Sequence, residues 1–244
     1  MDFQNQEIRL YESSLFAAIG DGLRRPGGLE ITETAITAAG LNPGDQILDL
    51  GCGSGDAVAF LIAKKGLAAQ GIDSSQSLLA EGKSRFPNLP LILGDVMDLP
   101  FADNQFDAML AECVLSLISE KSVVLSQIRR CLKPTGRLLV SDVYFKQDDT
   151  IQEGLNLPFS TCLNGLQTQE KFTNILCQNG FILDQFTDYS NLYKNYIAQL
   201  IMTYGSTGLF WQQFCGACTQ RAKQAEAAVK GRKIGYFLAV AKML

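Results

Sequence analysis

Short apolar runs alternate with longer amphipathic segments through the middle of the chain. Gln46–Leu50, Ala68–Ile72, Leu91–Gly94, Phe106–Cys113 and Gly136–Val143 read as buried strands. Asp56–Lys65, Ser75–Phe86 and Lys121–Leu132 carry helical spacing between them. Strands separated by helices of this length predict right-handed βαβ units and a doubly wound, mostly parallel α/β sheet. Upstream, Ile8, Leu10, Tyr11, Leu15, Phe16 and Ile19 give residues 7–23 a helical pattern, which Arg25-Pro26-Gly27-Gly28 breaks. A second helix is expected over Thr32–Ala39, closed by Gly40. The rhythm changes after Tyr144. Residues 145–166 are poorly periodic, Thr168–Gln178 reads as a helix and Phe181–Phe186 as a sixth strand. Residues 191–231 look mainly helical, a candidate lid, and Ile234–Lys242 closes the pattern as a strong apolar strand. We therefore expect one domain over 1–244: N-terminal helices (1–45), a core (46–143), lid segments (144–233) and a last strand (234–244).

Composition narrows the function classes. The 244 residues are 47% hydrophobic and 19% charged, ordinary for a globular domain. The net charge of −4 shows no basic surplus, so no nucleic-acid partner is expected. Arg24-Arg25 and Lys230–Lys233 read as solvated faces. No apolar run approaches the ~18 residues of a membrane span, and the first residues lack the pattern of a secretory signal. No membrane partner and a cytoplasmic setting follow as expectations, with the seven cysteines mostly reduced. The absence of histidine excludes Ser-His-Asp and Cys-His catalysis and every histidine-containing zinc site.

Ile47-Leu48-Asp49-Leu50 runs into Gly51-Cys52-Gly53-Ser54-Gly55, and a helical segment follows. That context suits a turn that brings backbone close to a ligand. Asp56 stands where a dinucleotide fingerprint would place its third glycine, and a carboxylate there repels a pyrophosphate. Asp73 lies 22 residues after Gly51, near the distance at which an acidic residue meets a ribose diol. Its bland alternative is a helix cap, which Ser74 or Ser75 would supply equally well. Asp95, ending the third strand, could accept from an adenine amino group with Val96 and Leu99 against the ring; loop solvation is the alternative.

Together these segments resemble the class I S-adenosylmethionine-dependent methyltransferases. The matching residues are Asp49–Gly55, Gly71-Ile72-Asp73, Gly94–Phe101, Phe106-Asp107 leading to Glu112, and Leu132–Leu138, in the family's order and spacing. The resemblance implies a Rossmann-like seven-stranded sheet with an antiparallel last strand. It also implies S-adenosylmethionine as cofactor, with Asp49, Gly51, Cys52 and Gly53 at its methionine part, Asp73 and Ser74 at the ribose, Asp95 and Val96 at the adenine, and Glu112 beside the sulfonium. Cys52 fills a place that needs a small residue.

Methyl transfer is an in-line displacement, so the protein must mainly align a nucleophile and exclude water. A thiolate, selenolate or arsenic(III) centre needs no base, which fits a chain without histidine. Cys113 follows the fourth strand and Cys162 precedes Leu163-Asn164-Gly165-Leu166. Both resemble the arsenic-holding cysteines of the arsenite methyltransferases. The alanine of the family's second motif is missing, and the family's cysteine after the glycine loop has no counterpart. Cys215-Gly216-Ala217-Cys218 is a redox or metalloid-trap candidate; zinc would need a second pair. For every cysteine the alternative is a small buried apolar side chain. Tyr144 is a further catalytic candidate, oriented by Asp142 unless Asp142 merely ends its strand. Tyr11, Phe159, Trp211 and Phe214 are lining candidates. The rivals are a C- or O-methyltransferase of small metabolites such as a quinone precursor, and a non-catalytic cofactor-binding protein.

Overall fold

The structure, a computed structural model, describes residues 9–19, 24–146, 154–216 and 218–244. Seven strands form one sheet: β1 Gln46–Leu50, β2 Ala68–Asp73, β3 Leu91–Leu93, β4 Phe106–Glu112, β5 Leu132–Phe145, β6 Phe181–Asp188 and β7 Ile234–Met243. The order is β3-β2-β1-β4-β5-β7-β6. The first five strands pair in parallel, and β7 runs antiparallel to both β5 and β6. The α/β fold expected from the sequence is the fold observed.

Nine helices are described: α1 Ser14–Ala17, α2 Gly28–Ala39, α3 Asp56–Lys65, α4 Gln76–Arg85, α5 Lys121–Cys131, α6 Gln169–Gln178, α7 Ser190–Tyr204, α8 Thr207–Cys215 and α9 Thr219–Val229. Helices cover both faces of the sheet, so central strands are buried on both sides: Ile47, Leu48 and Leu50 are fully buried and Asp49 nearly so. Val124, Leu125, Ile128 and Cys131 repeat at helical spacing and form the buried stripe of α5. The core divides into two clusters, one on each side of the sheet.

Three boundaries differ from expectation. The glycine pair read as a breaker instead starts α2: Gly27 takes the left-handed conformation (φ 80°) as N-cap. β5 begins at Leu132: Phe106 pairs with Leu132 and Ala108 with Arg137, a register shift that leaves Pro134 in the unpaired stretch between them. The N-terminal segment is not one helix over its described part. Leu10 N–H donates to Ser160 O (3.0 Å), Ser13 caps α1, and α1 is a single turn. The remainder of the expected 7–23 helix, residues 7–8 and 20–23, lies outside the described residues.

A candidate active site at the end of the fourth strand

The carboxyl ends of β1, β2 and β4 rim a polar cavity of about 460 Å³. Gly51 makes the turn out of β1 at φ 64°, and a β-carbon there would stand 2.6 Å from Val114 Cγ2. Asp73, at the end of β2, accepts from Gly53 N–H and Ser75 N–H, both at 2.7 Å. Ser75 itself caps α4, so the carboxylate is not needed as a cap. A carboxylate has about four acceptor sites, so Asp73 keeps capacity toward the cavity it lines. Burial pushes its pKa up, against the two amide bonds that lower it. Ser74, Asp95 and Val96 also line this cavity, with Asp95 Oδ1 accepting from Met97 N–H at 2.9 Å.

Beneath the glycine turn lies a buried charge cluster. Arg25 Nη2 meets Glu112 Oε2 at 2.6 Å, with side-chain exposures of 15% and 5%. Thr32 Oγ1 donates to Glu112 at 3.0 Å. Burial pushes the Glu112 carboxyl up, while Arg25 and Thr32 pull it back. Burial, then Glu112, raises Asp49 well above the usual carboxylate range. Two carboxylates, Glu112 and Asp49, therefore share one guanidinium. A cationic ligand finds acceptors there that a phosphate does not. Asp56 reinforces this at the start of α3, where Arg85 (2.7 Å) and Ser54 (2.7 Å) hold it ionised despite burial. Arg25 is thus no solvated arginine; its partner lies 87 residues on, with no local sign near the arginine.

A second cavity of about 350 Å³ adjoins the first. Its walls are mainly apolar, among them Phe16, Leu163, Tyr193, Tyr196, Phe210 and Trp211. The two cavities share Tyr11, Arg24, Cys113 and Leu117, so they meet at the end of β4. Cys113 stands there in the left-handed conformation (φ 57°). Its thiol lies 3.6 Å from Tyr236 Oη and neighbours the Cys162 thiol, with which it lines the apolar cavity. Tyr236 Oη donates to Ser141 Oγ (3.1 Å), which reaches Glu112 in turn. The Cys162 sulfur and burial push the Cys113 thiol well up, so it is a neutral thiol. What brings the two cysteines together is a close backbone contact: a β-carbon on Gly165 would lie 1.9 Å from Ser116 O.

Tyr144 requires a correction. It lines neither cavity; it packs edge-on against Phe186 (5.4 Å) and Phe237 (5.7 Å) in the opposite layer. Strand alternation turns Val143, not Tyr144, toward the apolar cavity. Asp142 does not orient Tyr144. It accepts from Ser116 N–H (3.0 Å) and Ser116 Oγ (2.6 Å), pinning the turn Leu115–Leu117 that carries the shared Leu117. Tyr11 and Trp211 line the apolar cavity, while Phe159 and Phe214 pack behind Trp211. Cys52 packs toward Gly71, whose β-carbon would meet its sulfur at 2.7 Å. Cys215 and Cys218 line neither cavity. Among the described residues no group of three or more cysteines, aspartates or glutamates is placed to hold a metal ion, and no helix is long and apolar enough to cross a membrane.

Residues 41–180, more than half of the chain, match the family model described as a methyltransferase domain. The chain belongs to this methyltransferase-domain family. Among curated relatives, a demethylmenaquinone methyltransferase of Beutenbergia cavernae is 39% identical over 107 residues, 44% of each chain. A 2-phytyl-1,4-naphtoquinone methyltransferase of Trichormus variabilis is 38% identical over 120 residues, 46% of this chain and 52% of the relative. The chain spans about half the length of the curated relatives it matches. Solved structures share the fold. A methyltransferase from Geobacter sulfurreducens in complex with S-adenosylhomocysteine superposes with TM-score 0.70 at 16% identity, covering 98% of this chain and all (100%) of that one. The cyclase SpnF reaches 0.72 at 23% identity, covering 87% and 79%, so this fold also carries other reactions.

Proposed function

We propose that this protein transfers a methyl group from S-adenosylmethionine, held in the polar cavity, to a ring-bearing, apolar small molecule in the adjoining chamber. The observation that carries the reading is the meeting of the two cavities at Cys113 and Leu117. Bound S-adenosylmethionine supplies an activated methyl group on a sulfonium. In this reading Gly51, Cys52 and Gly53 present backbone to its methionine part above Asp49 and Glu112, and the acidic floor favours its cationic groups. Asp73 and Ser74 take the ribose hydroxyls, and Asp95 and Val96 the adenine. The chain acts as one domain, with α7–α9 covering the acceptor. The apolar walls exclude water and hold the acceptor in line. A chamber of about 350 Å³ walled by tyrosine, phenylalanine and tryptophan suits a ring system better than a small ion. The quinone-directed names of the relatives point to an acceptor of the hydroquinone type. The hydrogen-bonded chain Cys113–Tyr236–Ser141–Glu112 offers a route for a proton leaving such an acceptor.

One observation favours a second acceptor class. The Cys113–Cys162 contact is a dithiol at the junction, suited to arsenic(III) or another soft centre. A single assay separates the two readings. The protein is incubated with S-adenosylmethionine and either a naphthohydroquinone, arsenite or an alkyl thiol, and S-adenosylhomocysteine release is followed. Trp211, the only tryptophan, reports acceptor binding by fluorescence. The first reading expects release with the hydroquinone, retained when Cys113→Ser and Cys162→Ser are combined, since the serine hydroxyl at 113 still relays a proton to Tyr236. Release with arsenite that the double variant abolishes would replace it with the second. Cofactor binding without release under any acceptor would leave a non-catalytic protein.

A further inference from the structure

The charge of this chain is unevenly spread. Residues 190–233 hold Lys194, Arg221, Lys223, Lys230, Arg232 and Lys233 against a single carboxylate, Glu226. Their net charge is +5, so the rest of a chain at −4 overall carries −9. Within this segment α7 and α8 are almost uncharged, with Lys194 their one ionised side chain. Around the turn that joins them, apolar side chains face water: Ile201 is 42% exposed, Leu209 52% and Met202 85%. Leu209 folds back over the turn, its Cδ1 lying 3.2 Å from where a β-carbon of Gly205 would be. On α7 Lys194, Ala198, Ile201 and Met202 stand at helical spacing on one exposed stripe. Elsewhere among the described residues, no two consecutive helices expose three large apolar side chains in this way.

The same helices wall the apolar chamber. Leu200 and Phe210, the neighbours of Ile201 and Leu209, line it, as do Trp211 on α8 and Val229 on α9. An apolar tip carried on a segment of net charge +5, set against an apolar cavity that Lys230 also lines, has the chemistry of an interfacial anchor. We infer that the α7–α8 tip docks on an anionic lipid surface, Ile201, Met202 and Leu209 entering the interface and the α9 cations meeting the headgroups. Docking of this kind is peripheral and needs no spanning helix. A nucleic acid would answer the charge but leave Met202 and Leu209 in water, so the lipid accounts for both features. The docking gains a purpose from the methyl-transfer reading, since it sets the acceptor chamber beside a phase that dissolves apolar rings; the binding itself is independent of that reading.

Flotation of the full chain with phosphatidylglycerol vesicles and with phosphatidylcholine vesicles tests the inference without cofactor or acceptor. Binding is expected to the anionic vesicles, weakening with salt. Met202→Glu combined with Leu209→Glu is expected to weaken it by about tenfold or more. Arg221→Gln and Lys223→Gln are expected to weaken it about fivefold each. Both sets of variants should bind S-adenosylhomocysteine as the parent does, which shows that they are folded. Parent protein that ignores anionic vesicles, tip variants that bind like the parent, or a dimer on gel filtration that the tip variants dissolve would each overturn the docking. So would binding to duplex DNA with none to vesicles. Failure of cofactor binding with vesicle binding intact would instead strike the methyl-transfer reading alone.

Discussion

Replacing Asp73 with alanine removes the one carboxylate that both fastens the glycine turn and faces the polar cavity. Its oxygens hold Gly53 N–H and Ser75 N–H at 2.7 Å each, so its orientation is fixed before any ligand arrives. Two ribose hydroxyls donating to an ionised carboxylate contribute about 1.5–3 kcal/mol each, or roughly 3–6 kcal/mol together. That corresponds to a loss of affinity between about a hundredfold and about ten-thousandfold. Calorimetric titration with S-adenosylhomocysteine reads the loss directly. A urea melt on the same sample shows whether the variant remains cooperatively folded, since losing the two amide contacts also costs about 1–3 kcal/mol of stability. Asp73→Asn keeps one carbonyl acceptor and should fall between parent and Ala. If folded Asp73→Ala binds within about threefold of the parent, the carboxylate does not touch the ligand. The assignment of the polar cavity then fails with it.

Two further outcomes follow from the buried charges. Arg25→Ala strands Glu112 without its partner and should cost about 3–5 kcal/mol in urea denaturation, whereas Arg25→Met with Glu112→Gln should recover most of it; additive losses would refute the coupling. Burial raises Asp142 from 3.8 to about 6, so its contribution is fully favourable below its unfolded value and is lost as pH climbs through about 6. The shift corresponds to about 3 kcal/mol, and Asp142→Asn does not carry it. The stability of the Asn variant relative to the parent should therefore rise by about 3 kcal/mol between about pH 4 and about pH 7, then level off; a flat difference would refute the buried ionisation.

The gathering of the glycine turn, Asp73 and Asp95 around one cavity was legible because its signals are local. A strand, a glycine turn and a helix follow one another within twenty residues of Gln46, and Asp73 ends the next strand. Tyr144 was misplaced for a physical reason. Leu138–Phe145 is almost continuously apolar because both faces of β5 are covered, so the run carries no alternation from which to read which face a side chain takes. Arg25 and Thr32 were missed because their partner is Glu112, on a strand remote in sequence, and a charge beside Pro-Gly-Gly looks like any solvated turn. The Cys113–Cys162 contact depends on Gly165 lying against Ser116, which neither residue announces by itself. The CxxC pair carried a motif but no cavity, and spacing alone did not say so.

The strand Ile234–Met243 sits between β5 and β6, and its pairing spans Arg137–Phe145 on one side and Phe181–Asp188 on the other. The closing of the sheet at β6 and β7, two of its seven strands, thus waits for residues made after nearly everything else described. During synthesis the cofactor strands can assemble while β5 still presents an open ladder, and β6 has no neighbour at all. A stop codon before Ile234 would therefore leave two unsatisfied edges and an apolar half-core prone to association, not a trimmed but working protein.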